Sequence, residues 1–256
     1  VDATHRVNPE RDDDCSVPRI VGTELQMETL ESLATAVNYH RWLRQLIAPY
    51  LGDDPIEIGS GLGDYAAAWV EGGLRRITVS DADPARHARL QERFADNPRV
   101  SVRELEVFNP PHANHSAMVA INVLEHIADD TRALQAAHSL LRPDGRVIVL
   151  VPAFQCAMSR FDRAAGHERR YRRGEMAATF AKAGIRLDRM HYVNAPGLVA
   201  WFLGMRLLRL TPRDGWIVRL WDRLVVPIAR TVENRIRPPF GQSLLAVGTC
   251  PSGGER

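Results

Sequence analysis

Residues 55–65 read Pro55-Ile56-Glu57-Ile58-Gly59-Ser60-Gly61-Leu62-Gly63-Asp64-Tyr65: a short apolar run, three alternating glycines, then an acid that opens a helical pattern. This is a strand entering a helix through a glycine turn. In open α/β sheets a ligand sits at the carboxyl end of such a strand, where the strand order reverses. Glycines at 59, 61 and 63 allow a tight turn and a close backbone approach to a ligand, because no Cβ stands in the way. A dinucleotide fingerprint would place its third glycine at position 64, which is Asp64, and the Gly-Lys-Ser/Thr ending of a triphosphate loop is missing. Glu57, two residues before the first glycine, would repel a pyrophosphate and suits a cationic ligand.

Outward from this turn the chain alternates. Pro55–Gly59 is followed by a helix over Asp64–Gly72, a strand over Arg76–Ser80, a helix over Pro84–Ala95 and a strand over Val100–Val107. Ala117–Val123 is a buried-type strand, Asp129–Leu141 a helix stopped by Pro143-Asp144-Gly145, and Arg146–Val151 a continuous apolar strand. Five strands separated by helices predict β-α-β units and a parallel sheet covered on both faces. A helix over Gly174–Ala183 closed by Gly184, a strand over Ile185–Tyr192, a helical insertion over 195–238 and a last strand over Gln242–Thr249 follow. That ending is compatible with an antiparallel strand tucked into the sheet. On the amino side, residues 1–23 are polar and read as a flexible arm. Residues 24–51 form a helical cap with a phase slip between Val37 and Leu43, which predicts two helices or a kink. The expected organisation is one α/β domain over 24–250, doubly wound and mostly parallel with seven strands, and a tail at 251–256.

The 256 residues are 45% hydrophobic and 25% charged, an ordinary water-soluble composition. Thirty-three basic against 31 acidic residues leave a net charge of +2, far from the basic surface of a general nucleic-acid binder. No apolar run reaches the roughly 18 residues that span a bilayer. The polar, acidic start resembles neither a signal nor a transit peptide, so a cytoplasmic location is expected. Cys15, Cys156 and Cys250 lack metal-ligand spacing and are odd in number, which argues against a disulfide framework. Lys182 is the single lysine, and it lies in an Ala-rich helical stretch, which removes Schiff-base chemistry from serious consideration.

The second strand ends in Ser80-Asp81-Ala82-Asp83. Asp83 suits the N-cap before Pro84, which would leave Asp81 free to accept ribose hydroxyls. With Glu57-Ile-Gly-Ser-Gly-Leu-Gly63 and Asn122-Val-Leu-Glu-His126, these residues resemble motifs of the class I S-adenosylmethionine-dependent methyltransferases over roughly residues 39–250. The resemblance implies a Rossmann-like methyltransferase fold, S-adenosylmethionine as cofactor and S-adenosylhomocysteine as product. It also implies that Glu57 and the loop 59–63, including Gly59, Ser60, Gly61 and Gly63, hold the methionine part. Asp81 and Ala82 would meet the ribose, and Asn122 would line the pocket near the methyl. The adenine-side acid after the third strand would be Glu106, beside Val107, or else Glu104. Tyr39 and Trp42 resemble the N-terminal helix that covers the cofactor in some subfamilies, and core packing explains them equally well.

Methyl transfer to a hydroxyl requires an aligned acceptor, exclusion of water and removal of a proton. Histidine is the base suited to neutral pH. His126 follows the fourth strand, where second-shell support or helix capping is the competing role. His167 lies in a glycine-containing loop after the fifth strand, where loop anchoring competes. Metal-assisted ubiquinone-pathway O-methyltransferases carry Glu-x-x-Glu-His where this chain has Asn122-Val-Leu-Glu125-His126. Loss of the first carboxylate disfavours a hard-cation site. Ser159–Arg173 holds six Arg, and guanidinium forks at Arg169 and Arg170, with Tyr171, are candidates to clamp a carboxylate or phosphate; the plain alternative is a solvated face. The insertion, with Trp201 as a further substrate candidate, reads as a helical cap, a dimer contact, or a pocket or membrane-surface helix for an amphiphilic acceptor.

These readings favour an enzyme that methylates a small or amphiphilic acceptor on oxygen: a secondary metabolite, a sugar or a lipid-linked intermediate. An RNA methyltransferase and a non-catalytic cofactor-binding regulator are the alternatives. The expected assembly is a monomer or homodimer, with peripheral membrane contact open and no nucleic-acid partner favoured.

Overall fold

A computed structural model describes residues 36–207 and 215–251. The expected arm at 1–23, the first part of the cap (24–35), residues 208–214 and the tail from 252 lie outside the described residues. Elements in chain order are α1 (Val37–Ile47), β1 (Ile56–Ile58), α2 (Asp64–Glu71), β2 (Ile77–Ser80), α3 (Pro84–Phe94), β3 (Val100–Val102) and β4 (His115–Ile121). Then come α4 (Asp130–Leu140), β5 (Leu141–Pro152), α5 (Arg160–Ala164), α6 (Arg173–Lys182), β6 (Arg186–Val193), α7 (Ala195–Trp201), α8 (Gly215–Glu233) and β7 (Ser243–Thr249).

The seven strands form one sheet in the order β3-β2-β1-β4-β5-β7-β6. β1 pairs in parallel with both β2 and β4, while β7 runs antiparallel between β5 and β6. The chain therefore leaves β3 at one edge and re-enters beside β1, which makes the gap between the carboxyl ends of β1 and β4 the switch point. Alternation along β5 shows why the central strands are apolar on both sides. Val147, Val149 and Val151 face α4 and α6, whereas Ile148 and Leu150 face α1, α2 and α3.

Two boundaries differ from the sequence reading, and one candidate site residue lies in the core. β3 ends at Val102, because its partner β2 ends at Ser80 and no ladder remains to extend it. Glu104 and Glu106 therefore stand exposed in the following loop, while Leu105 and Val107 pack inward. Pro143-Asp144-Gly145 does not separate helix from strand. It forms a bulge inside β5, with Asp144 at φ 60°. Trp42 is core, 2% exposed and packed beneath α1, as the core-packing alternative expects.

The insertion helix α8 is fastened by two carboxylates. Asp222 is buried, and its Oδ2 and Oδ1 accept the backbone N–H groups of Asn38 (2.9 Å) and Tyr39 (2.8 Å) in the first turn of α1. Glu233 accepts the N–H groups of Asn194 (2.9 Å) and Ala195 (2.8 Å) where α7 begins. The two acids are about three helical turns apart and so share a face of α8. Helix starts have amides without intrahelical partners, and here distant side chains satisfy them. Asp222→Ala should cost about 1–2 kcal/mol, read from urea unfolding midpoints, with faster hydrogen exchange at the Asn38 and Tyr39 amides. Unchanged exchange there would show that the cap is energetically idle.

Candidate active site at the carboxyl edge of the sheet

Ile56 and Ile58 face α4 and α6, so strand alternation turns Glu57 to the opposite face, toward α1 and α2. Its side chain is buried, and Oε2 has no hydrogen-bond partner. Burial above all pushes its carboxyl up to about 8, and the nearby Asp64 and Asp81 add to the rise. Tyr39 and Tyr65 stand on the same side. Burial raises both phenols, and Tyr65 also feels the charge of Tyr39, Glu57 and Asp64. Tyr39 Oη lies 3.3 Å from Ser243 Oγ at the start of β7, and the His40 ring stacks on Tyr65 at 4.9 Å. A buried carboxyl with an unpartnered oxygen and an aromatic neighbour, Tyr65, is a setting for a cation.

The glycine turn is built against protein as much as toward a ligand. Gly59 has φ +66°, and a Cβ there would stand 2.5 Å from Val123 Cγ2; at Gly63 (φ +81°) it would stand 2.6 Å from the Phe94 ring. Ser60 N–H donates to the Ser80 carbonyl (2.8 Å), and Gly61 N–H donates to Asp81 Oδ2 (2.9 Å), which ties the turn to the end of β2. Arg93 of α3 holds the Leu62 carbonyl and the Asp64 carboxylate.

Asp83 does cap α3, accepting from the N–H groups of Ala85 and Arg86. Asp81, however, is not free. Besides Gly61, it accepts from Asp83 N–H (3.0 Å) and pairs with Arg86 Nε (2.9 Å), both at Oδ1. Any ribose contact must share this buried carboxylate. Beside it Ala82 is exposed, and across the switch point Asn122 is exposed at φ 53°. Val107 lines a small apolar cavity with Ile58, Leu105, Ala120, Val123 and Leu124, while Glu106 next to it faces solvent.

A second cluster lies just past β4 and β5. One ligand-type atom from each of Glu125, His126 and His167 lies within 4.8 Å of the others, and the two imidazoles meet edge to face at 4.7 Å. His126 Nδ1 is 3.1 Å from the Gly166 carbonyl, so its N–H belongs there and Nε2 carries the lone pair. Burial, then neighbouring His167, lowers His126 to about 4, which leaves it neutral at physiological pH. Glu125 is fully buried with neither oxygen partnered, and burial raises it to about 7. His167 Nδ1 approaches Asp162 Oδ1 at 3.1 Å, off the line of a good hydrogen bond. Against the opposing effect of burial, His167 and Arg170 hold the Asp162 carboxyl well below the ordinary range.

The expected acceptor clamp does not form. Arg170 is buried, and its Nη2 and Nε donate to Asp162 Oδ1 (2.7 and 3.2 Å) under the Trp201 ring. Tyr171 is buried too, and its hydroxyl reaches Asp130 Oδ2 (2.9 Å) and the Leu124 carbonyl (3.2 Å). Arg169 pairs with Asp130 (3.1 Å) and the Ala128 carbonyl (2.7 Å), and the Trp201 indole N–H donates to Ala157 (3.1 Å). All four side chains have protein partners that fasten the loop. Sequence reading gave no role to Tyr65, Ser243 or Asp162, and it met Glu125 only in the disfavoured metal motif. Tyr65 had a signal, its place in the first helical turn after the glycines; Ser243, from the far end of the chain, had none.

Residues 56–147 match the profile of a family described as "Methyltransferase domain". The lovastatin nonaketide synthase, polyketide synthase component, of Aspergillus terreus is 30% identical over 140 residues, which cover 50% of this chain and 4% of that protein. A Mycolicibacterium smegmatis protein named "Probable S-adenosylmethionine-dependent methyltransferase" is 32% identical over 103 residues, 40% of this chain and 38% of that one. This chain thus spans a minor part of these relatives' lengths. Among solved structures, a complex of the Haloferax volcanii Trm112 methyltransferase activator with a methyltransferase superposes at TM-score 0.63 and 17% identity, covering 92% of this chain and all of that one. Residues 56–147 are thus similar to a methyltransferase domain, and the seven-stranded fold is shared with solved methyltransferase structures.

S-adenosylmethionine, the cofactor the sequence resemblance implies, would fit this site, because Glu57 supplies a buried carboxyl with an unpartnered oxygen for a cationic ligand. Since burial raises that carboxyl, the ligand-free protein should lose stability as pH rises from its unfolded value toward about 8. Glu57→Gln should abolish that decline while weakening cofactor binding by about tenfold or more. Melting curves from pH 5 to 9 and calorimetric titration check both, and parallel melting profiles would refute the assignment.

Proposed function

We propose that this chain is an enzyme that transfers a methyl group from S-adenosylmethionine to an oxygen of a small or amphiphilic acceptor. The observation that carries this is the buried Glu57 carboxylate, unpartnered at Oε2 and close enough to Tyr65 to raise its phenol, at the switch point of the sheet. A dinucleotide or triphosphate would bring negative charge to that carboxylate; a ligand carrying ammonium and sulfonium brings the matching sign. Glu57, Tyr39, Tyr65 and the backbone of 59–63 would hold the methionine end. Asp81 and Ala82 would hold the ribose, Val107 with Glu106 would lie on the adenine side, and Asn122 near the methyl. When bound, the cofactor supplies a methyl group activated by the sulfonium and leaves as S-adenosylhomocysteine. His126 and His167 provide the acceptor side, where neutral His126 presents a lone pair rather than a charge.

A deuterated methyl donor incubated with protein and a metabolite and lipid extract should label small molecules or lipids, with fragmentation placing the label on oxygen. Label on carbon would overturn the oxygen assignment; label in RNA, or none, would overturn the acceptor class. Gly59→Ala should abolish labelling, since its Cβ meets Val123.

The amphiphilic acceptor is supported by α8. Leu220, Leu224, Ile228 and Val232 are all at least half exposed and spaced every fourth residue. Helical spacing places Arg219, Arg223 and Arg230 along one flank of this stripe. No helix of the described residues is long and apolar enough to cross a membrane. Exposed apolar side chains beside arginines match an anionic lipid surface. The protein should float with vesicles containing anionic lipid, less so with neutral ones, and Leu224→Glu/Ile228→Glu should abolish flotation. Equal recovery from neutral vesicles, or none from either, would remove the lipid reading.

A further inference from the structure

The cluster of Glu125, His126 and His167 is built as more than a proton-accepting pair. A fully buried carboxylate with both oxygens unpartnered is costly unless something positive meets it. The adjacent charged groups are already engaged. Arg170 is committed to Asp162 and the Ala153 carbonyl, Arg169 to Asp130 and the Ala128 carbonyl, and Ser159 to Asp162. Two imidazoles stand beside the carboxylate: His126 has the Gly166 carbonyl at Nδ1, whereas His167 Nδ1 lies 3.1 Å from Asp162 without a well-formed hydrogen bond. His126 therefore keeps Nε2 for another partner, and His167 offers a second imidazole that is not tied up at Nδ1. Metal-ligating histidines show the arrangement of His126, with the far nitrogen oriented by a carbonyl or carboxylate.

We infer that Glu125, His126 and His167 form a binding site for one divalent transition-metal ion of the zinc class. Two imidazoles and one carboxylate suit zinc, and a harder cation such as magnesium prefers an all-oxygen shell. Donor atoms around tetrahedral zinc stand about 3.3 Å apart, so the cluster, within 4.8 Å, closes by rotation of the Glu125 side chain and small ring movements. The framework for this is in place. Glu168 N–H donates to the Glu125 carbonyl (2.8 Å) and His167 N–H to the Asp162 carbonyl (2.9 Å), which fixes the loop after β5 against the turn after β4. Three protein ligands leave a fourth position for an oxygen of the acceptor, which deepens the proposed function at its acceptor side. The donor set itself does not depend on methyl transfer.

The test uses the full chain, purified without chelator and with any affinity tag removed. Elemental analysis should find about one zinc per chain. Cobalt(II) added to the chelator-treated protein should give visible d–d absorption saturating at one equivalent. Glu125→Gln and His167→Gln should each weaken cobalt binding by about tenfold or more, while titration with S-adenosylmethionine reports that the fold and the cofactor pocket persist. Substoichiometric zinc with no cobalt spectrum overturns the inference, and so does a spectrum that survives both substitutions. Loss of cofactor heat with the cobalt spectrum intact would instead sink the methyl-donor reading and leave the metal site standing.

Discussion

A carboxylate taken out of water must meet a donor or a cation, and this constraint organises the molecule from the sheet edge outward. Asp81 is met by Gly61 and Asp83 amides and by Arg86; Asp162 by Arg170 and Ser159; Asp222 and Glu233 by the amides that begin α1 and α7. Among the described residues, Glu57 Oε2 and both oxygens of Glu125 are the buried carboxylate atoms left without a partner. They lie on β1 and just past β4, the two strands that flank the switch point. One belongs to the pocket that a cationic nucleoside would fill, the other to the histidine cluster beside it.

The same constraint explains how the insertion serves the fold. α8 carries two acids, and both reach across to cap other helices instead of pairing with its own arginines. Asp222 thereby places α1, and with α1 it places Tyr39 beside Ser243 and within the electrostatic reach of Tyr65. A helix remote in sequence thus sets one wall of the candidate pocket, while its opposite face keeps an apolar stripe in solvent.

Much of this was legible from local pattern. The glycine turn, the strand–helix alternation, the antiparallel last strand and the Asp83 cap follow from periodicity and capping chemistry, which act over a few residues. The arginine-rich loop misled, because composition counts charges without showing what they pair with. Arg170 reads as a clamp in sequence and is a buried strut in space, since Asp162 comes back within reach through a capped short helix at Arg160–Ala164. Trp42 was ambiguous for a similar reason: an amphipathic helix shows which residues turn inward but not what lies beneath them.

The sequence by itself determined the class of fold, the switch point and the placing of an acid on the strand that enters it, because a strand, a glycine turn and an acid at fixed spacing dictate these locally. Tertiary structure decided which charged side chains remained available. Asp81 was engaged by Arg86, Arg169 and Arg170 were absorbed by Asp130 and Asp162, and Glu125, His126 and His167 were brought together from two loops. Pairing between residues distant in the chain depends on where β4 and β5 set their loops, and no local pattern carries that information.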